Sequence, residues 1–230
     1  MEWLTAFTED LQQSWPALWH GLSITLKVVV SAAIGGVIIG TLLALMRLSS
    51  IKAFNWFAKG YVNLFRSIPL LLVLMWFYFA VPFIYTGITG NYLTIDTALV
   101  SSIVAFMLFE AAYFSEIVRA GIQSIPKGQI EAAYSLGIRP WNTMRYVVLP
   151  QAIKNILPAL GNEFVTIIKV SSLLQTIGVM ELWNGAQTVA TTTYLTLTPL
   201  LFAAFYYLIV TTAMTALLKQ MEKRLGKGRK

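Results

Sequence analysis

The feature that most constrains this chain is a series of apolar runs, each about 20 residues long. A helix rises about 1.5 Å per residue, so a run of that length crosses the ~30 Å hydrocarbon core of a bilayer. Of the 230 residues, 57% are hydrophobic and only 12% are charged, whereas roughly a quarter are charged in a soluble domain. The sequence therefore predicts an all-α, polytopic membrane protein.

Five runs are long enough to span the membrane, and they are Leu22–Met46, Tyr61–Tyr85, Thr97–Val118, Ala152–Val170 and Pro199–Leu218. The apolar stretch Ser171–Met180 is about ten residues long, which is too short to span a bilayer. We interpret it as a re-entrant or surface segment.

The N-terminal segment, residues 1–19, has a different pattern. Its apolar side chains are those of Trp3, Phe7, Leu11, Trp15 and Leu18. This spacing is typical of an amphipathic helix that lies in the membrane interface, with tryptophans at headgroup depth, or packs on a helical bundle. No linker or internal repeat divides the chain, so we expect one transmembrane domain over residues 1–230, with residues 1–19 as an interfacial segment and residues 120–150 as a loop.

The charged residues predict the orientation. Basic residues concentrate in the first loop, in the third connection and in the C-terminal tail. By contrast, the only charged residue of the second loop is Asp96, and the only charged residue among residues 171–198 is Glu181. By the positive-inside rule the N-terminus lies outside and the C-terminus is cytoplasmic, and five crossings demand the same result. This distribution also accounts for the net charge of +7, so we expect no nucleic-acid partner.

Several kinds of chemistry are excluded by composition. The chain has no cysteine and one histidine, which excludes disulfides, thiolate metal sites and a clustered histidine site. We find no convergent catalytic set and no metal site in the sequence, and we therefore expect that the chain is not an enzyme.

The loop of residues 120–150 has an organised pattern. Pro126 and Gly128 stop the third apolar helix, and a good helix former follows from Gln129 to Leu136. Gly137 then ends that helix, and Pro140 begins a second one. The sequence predicts a helix–glycine turn–helix in the cytoplasm, either as a rigid element that transmits movement to a partner or as a simple connection between two spans.

The spacing of Glu131-Ala132-Ala133, Gly137 and Leu149-Pro150 resembles the cytoplasmic loop of ABC importer permeases. Other segments resemble permeases for polar amino acids, from about residue 20 to the tail: His20-Gly21-Leu22, Arg66-Ser67-Ile68-Pro69-Leu70, the motif from Glu116 to Ile125, and Lys169 with Ser171-Ser172-Leu173. The resemblance is greatest to glutamate/aspartate permeases, in a group that also includes glutamine, histidine and arginine permeases.

This resemblance implies the fold of a type I ABC importer permease in the cytoplasmic (inner) membrane. It implies that the residues Glu131, Ala132, Ala133, Gly137, Leu149 and Pro150 couple the chain to a separate ABC ATPase subunit. It also implies a periplasmic or lipid-anchored solute-binding protein that delivers a small-molecule amino acid. Because five helices are too few to enclose a transport pathway, we expect a second permease copy or homologue, related by a two-fold axis. The chain lacks G-x-x-x-x-G-K-[ST], so we expect it to bind no cofactor, with ATP on the partner subunit.

Polar residues inside the apolar runs are the candidate cargo contacts. Glu163 lies roughly 16 Å into the fourth helix, near the bilayer midplane where transporters bind substrate. With Asn162 it is suited to an ammonium group, whereas the alternative is an interhelical hydrogen bond from a protonated carboxyl. Lys169 and the Ser171-Ser172 pair either meet a carboxylate or lie at the outer headgroups, and Gln187 is a candidate for closure over the ligand. Glu110 is a further candidate inside the third span.

One alternative function remains open from the residues alone. A stand-alone secondary amino-acid transporter would use Glu110 or Glu163 as a proton relay. Dependence on an ATPase subunit distinguishes it from the importer.

Overall fold

The computed structural model describes residues 2–92, 96–194 and 197–226. Their helices are α1 (Glu2–Leu48), α2 (Lys52–Ser67), α3 (Leu70–Thr89), α4 (Thr97–Gln123), α5 (Lys127–Ser135), α6 (Pro140–Thr143), α7 (Leu149–Val170), α8 (Leu182–Thr193) and α9 (Thr198–Gly226). A π-helical turn, Met144–Val148, joins α6 to α7, and a 3₁₀ helix, Ser171–Ile177, follows α7. The predicted all-α fold is confirmed.

Five segments of the described residues are long and apolar enough to cross a membrane: Ser14–Leu48, Leu70–Thr89, Thr97–Gln123, Pro140–Ile177 and Thr198–Arg224. The predicted number of spans is therefore confirmed. Residues 2–19 are the N-terminal part of the continuous helix α1, and their place in the membrane interface stays a prediction.

The predicted second span, Tyr61–Tyr85, was placed wrongly. The chain breaks between α2 and α3 at Pro69, whose backbone is extended (φ −61°, ψ 136°). Proline has no N–H to donate and disfavours helical geometry in the residue before it. The break separates the amphipathic helix α2, with its basic residues, from the apolar helix α3, so the span moves to Leu70–Thr89.

Packing divides the chain into two compact units. The first contains Met1–Ile34, Ile68–Met107 and Phe164–Met214, and the second contains Gly35–Ser67, Leu108–Glu163 and Thr215–Lys230. Because α1, α4, α7 and α9 each contribute residues to both units, no unit is a continuous stretch of chain. The expectation of one transmembrane domain over residues 1–230 stays a prediction.

The first unit has an apolar core between α1, α8 and α9. Its buried members are Leu18, Leu22, Leu182, Ala186 and Ala203. The backbone N–H of Leu182 also donates to the Thr25 hydroxyl at 3.2 Å, so a polar bond between α1 and the start of α8 lies inside this core.

The second unit depends on a close approach of α1 to α4. A Cβ atom on Gly40 would lie 2.7 Å from Phe114 Cβ and 2.8 Å from the Ala111 carbonyl oxygen, and one on Gly36 would lie 3.0 Å from the Phe114 ring. The pattern Gly36-x-x-x-Gly40 predicts such a helix contact, and the structure confirms it.

We predict that Gly40→Leu destabilises the folded protein, because overpacking a close contact costs about 1–3 kcal/mol. The matched control is Gly60→Leu, since a Cβ atom at Gly60 meets no atom within 4 Å. Thermal unfolding in detergent, followed by size-exclusion chromatography, measures the difference. Equal midpoints for the two variants would contradict the close approach of α1 and α4.

Candidate transport and coupling sites

Two acidic side chains meet inside the membrane-spanning part of the second unit. Glu110 lies on α4 and Glu163 on α7, and their carboxyl groups are close enough to interact electrostatically. Glu110 is only 2% exposed, whereas Glu163 is partly accessible. Two of the predicted cargo contacts, far apart in sequence, are thus brought into one site, which we call the carboxyl pair.

A single arginine lies beside the carboxyl pair. The Arg66 guanidinium stands over the Tyr113 ring at 5.6 Å from its centroid, and its charge acts on Glu163. Arg66 Nη1 is also 3.9 Å from Glu116 Oε2. The pair therefore has a cation on one side, and this cation is shared with another carboxylate.

The remaining predicted cargo contacts are placed as follows. Asn162 precedes Glu163 on α7 and is exposed. Lys169, near the end of α7, and Gln187, on α8, belong to the first unit and are also exposed. The side-chain hydroxyl of Thr191 donates to the Gln187 carbonyl oxygen at 3.1 Å. Roles for these three residues in cargo binding stay predictions.

Glu116, nearer the C-terminal end of α4, is the centre of an ion-pair cluster. Arg119 and Arg47 both donate to its carboxylate, and Arg66 lies near it. The sequence predicts the Glu116–Arg119 pair from their spacing on one helix face, and the structure confirms it. Sequence reasoning missed Arg47 because that residue is 69 positions away and only the fold brings it close.

The first unit holds a cavity of about 330 Å³, lined by Lys169, Ser172, Trp183, Ala204 and Tyr207. Within the described part of the chain the Lys169 ammonium has no carboxylate within ion-pair distance. A wall with one lysine among aromatic and small side chains suits a small anionic group.

Behind this cavity lies Glu181, which is fully buried. From the sequence we interpreted it only as a charged residue in a loop. Its carboxyl accepts hydrogen bonds from the backbone N–H groups of Trp183 (2.9 Å) and Asn184 (2.8 Å), which caps α8, and from the Tyr207 hydroxyl (2.9 Å). Burial raises the pKa of the Glu181 carboxyl, while these three donors act in the opposite direction. An acidic residue just before a helix is an N-cap signal that could have identified it.

The predicted helix–glycine turn–helix is present between α4 and α7. Helix α5 ends in a turn in which the N–H of Gly137 donates to the Tyr134 carbonyl (2.9 Å) and that of Ile138 to the Ala133 carbonyl (3.1 Å). Gly137 has φ +75°, a left-handed conformation in which a side chain is strained. Glu131 and Ala132 are exposed on α5, Ala133 is buried beneath them, and Leu149 and Pro150 begin α7 and are exposed.

This segment is tied firmly to the membrane helices. The Gln151 side chain on α7 donates to the Gln129 side chain on α5 at 2.6 Å, and Asn155 donates to Ser124 at 2.9 Å. A buried cluster that contains Ile125, Val148 and Ile156 lies between them. These contacts join α5 and the end of α4 to α7.

The outer face of the same segment is apolar. Leu136 is 79% exposed, Trp141 72% and Tyr146 66%. Exposed large apolar side chains of this kind mark sites of contact with another protein or with a membrane.

Comparison with known proteins identifies the family. Residues 36–227 match the family described as "Binding-protein-dependent transport system inner membrane component". The chain belongs to this family. Its membership makes the chain a multi-pass inner-membrane component of a transport system that works with a binding protein.

Curated relatives resemble the chain over nearly its whole length. The glutamate/aspartate import permease protein GltK of Escherichia coli O6:H1 is 42% identical over 211 residues, which are 92% of this chain and 94% of the relative. The arginine transport system permease protein ArtQ of Bacillus subtilis is 40% identical over 210 residues, which are 91% and 93% of the two chains.

Solved structures agree with the fold. A crystal structure of an amino acid ABC transporter with histidines matches with a TM-score of 0.82 and 38% identity, over 91% of this chain and 94% of that one. An inward-facing structure of the MetNI methionine ABC transporter matches with a TM-score of 0.70 at 22% identity, over 91% and 96%, which supports the fold alone.

The chain is therefore the permease subunit of an ABC transporter and has the predicted type I importer fold. By its family it is a transporter component. A stand-alone secondary transporter is not supported, because the family and the solved structure at 38% identity both belong to multi-subunit transporters.

We predict a pH-dependent contribution of Glu181 to stability. Since burial places its pKa in the folded protein above that in the unfolded chain, protonation favours the fold. The contribution is complete below the unfolded pKa and is lost as pH rises through the folded pKa. Thermal midpoints of Glu181→Gln should fall less with rising pH than those of the wild type, whereas Glu222→Gln, outside this network, should follow the wild type. Parallel curves for all three proteins would refute the prediction.

Proposed function

We propose that this chain imports a polar amino acid across the cytoplasmic membrane. The observation that carries the proposal is its similarity, over more than 90% of its length, to permeases named for glutamate/aspartate and for arginine. The intramembrane carboxyl pair supports it, because transporters bind substrate near the midplane with ionisable side chains of this kind.

In the proposed cargo site, Glu163 accepts the ammonium group of the amino acid. Glu163 is partly accessible and lies in the middle of α7, with Asn162 exposed beside it and Glu110 behind it. Lys169 and Gln187 meet the carboxylate end at another stage of passage, and the 330 Å³ cavity beside Lys169 supports this role because it is large enough for a small carboxylate.

In the proposed coupling, the segment from α5 to the start of α7 docks into a separate ATPase subunit, which binds and hydrolyses ATP. Glu131, Ala132, Ala133 and Gly137 form the docking helix and its turn, and Leu149 and Pro150 receive the movement at the start of α7. The apolar outer face and the firm bonds to α7 support this role.

The proposed assembly contains a second permease copy or homologue, two ATPase subunits, and a periplasmic or lipid-anchored solute-binding protein. The N-terminus lies outside and the C-terminal tail is cytoplasmic, as the basic residues of the loops favour. The many exposed apolar side chains of α3 and α9 are suited to contact with lipid or with the second permease.

We predict that Glu163→Gln weakens transport. Loss of a charge-assisted bond costs about 1.5–3 kcal/mol, which raises the substrate concentration for half-maximal uptake roughly 10–100-fold. Uptake of labelled amino acids into proteoliposomes measures this, with Glu222→Gln as the matched control for removal of one glutamate charge. Unchanged half-saturation in Glu163→Gln would remove Glu163 from the cargo site.

We predict that the turn at Gly137 is required for binding of the ATPase subunit. Gly137→Val should lose the co-purifying ATPase, because a β-branched residue is strained at φ +75°. Gly137→Asn should retain it, because asparagine tolerates the left-handed conformation. Pull-down from cells that express the whole transporter gives the measurement. If Gly137→Val also keeps the ATPase, the turn is not part of the docking surface.

A further inference from the structure

Helix α2 (Lys52–Ser67) presents three different faces around its axis. Its buried side chains are Ala58 and Val62, and Ala58 packs in one apolar cluster with Leu43 of α1. Because only a short connection joins α1 to α2, this contact means that α2 runs back along the C-terminal end of α1. Helix α2 therefore begins on the side of the membrane where α1 ends.

The second face of α2 is apolar and open, and we call it the apolar face. It consists of Phe54, Phe57 and Leu64, whose spacing places them on one side of a helix, and all three are exposed. The chain is an inner-membrane component, so the acyl chains of the bilayer supply the apolar surroundings that such a face requires.

The third face of α2 is polar and carries two positive charges, and we call it the cationic face. Lys52, Trp56, Lys59 and Asn63 recur at intervals of three or four residues, so they share one side of the helix. All four are exposed, and Trp56 is 80% exposed. Among the described residues neither lysine has a carboxylate within ion-pair distance, because Glu116 of the same unit is engaged by arginines.

The dimensions of the cationic face match the headgroup layer of a bilayer. Lys52 and Lys59 are seven positions apart, which is about 10 Å along the helix axis, and the polar layer on each side of a bilayer is about 5–8 Å thick. A lysine stem can lie along apolar surface and return its ammonium group to this layer. Both ammonium groups therefore reach the headgroups of one leaflet. Trp56 lies between them, and tryptophan is enriched at this depth.

We propose that the cationic face of α2 binds the headgroups of anionic phospholipids. Lys52 and Lys59 contact the lipid phosphate, Trp56 lies at the boundary with the acyl chains, and the acyl chains of the same lipids cover the apolar face. The positive-inside rule places this site in the cytoplasmic leaflet. The site is separate from the proposed cargo site and from the proposed ATPase contact.

The charges determine which lipid is preferred. Phosphatidylglycerol has a net negative charge, whereas phosphatidylcholine has its own cationic group, which the two lysines repel. One lysine near an anionic surface contributes an attraction that corresponds to about a fivefold preference. We therefore expect a preference of about fivefold or more for phosphatidylglycerol, and we expect concentrated salt to reduce it because exposed charges are screened.

A fluorescent label on α2 measures this preference. The chain has no cysteine, and a Cβ atom on the exposed Gly60 meets no atom within 4 Å, so Gly60→Cys provides a single labelling site on α2. The labelled chain is studied in the complete transporter, with any cysteines of the other subunits replaced. It is reconstituted in phosphatidylcholine nanodiscs with small, equal fractions of nitroxide-labelled phosphatidylglycerol or phosphatidylcholine, the nitroxide being near the top of the acyl chain.

Nitroxide-labelled phosphatidylglycerol should quench the label at about one fifth of the concentration that phosphatidylcholine requires, or less. The preference should disappear in the double variant Lys52→Gln with Lys59→Gln, and in concentrated salt without any substitution. It should persist in the matched control, Lys127→Gln with Lys154→Gln, which removes two exposed lysines outside α2.

Equal quenching by the two lipids in the labelled parent would overturn the proposal. An unchanged preference in the double variant, or its loss in the matched control as well, would show that net charge and not the cationic face selects the lipid. A label that neither lipid quenches would show that protein, such as a second permease, covers this side of α2, and that result would also overturn the proposal.

Discussion

A charged side chain within an apolar helical bundle needs a partner inside the protein, and this constraint determines how the second unit is held together. Glu116 provides one carboxylate to which Arg47 from α1 and Arg119 from α4 donate, with Arg66 from α2 nearby. Because this carboxylate accepts from both guanidinium groups, Arg47 and Arg119 can remain partly buried near the ends of their helices. The close approach of α1 and α4 at Gly40 lies on the same helices and depends on the same alignment.

The same constraint separates structural from functional carboxyl groups. Glu116 is satisfied by arginines, and Glu181 is satisfied by two backbone N–H groups and a tyrosine. Glu110 and Glu163 interact with each other, and within the described part of the chain Oε2 of the buried Glu110 has no hydrogen-bond partner. An incompletely satisfied polar pair in a membrane helix is costly to keep unless it is used, which is why we place the cargo site there.

Sequence reasoning succeeded where the cause was local. The length of the apolar runs predicted five spans, and the glycine and proline residues predicted the turn at Gly137. The three-residue spacing of Glu116 and Arg119 on one helix predicted their ion pair. It failed at the α2–α3 break because the apolar run continues across the break, where the local signal is Pro69. The bond from Arg47 to Glu116 and the interaction of Glu110 with Glu163 join residues on different helices, so no spacing rule can reveal them before the fold is known.

The most direct measurement is uptake of labelled polar amino acids into proteoliposomes that hold this chain together with its ATPase subunit, with solute-binding protein added outside. Uptake should require all three proteins, and it should require ATP on the side of the membrane that carries the C-terminal tail. Uptake by this chain alone, without ATP, would contradict a permease that depends on a separate ATPase.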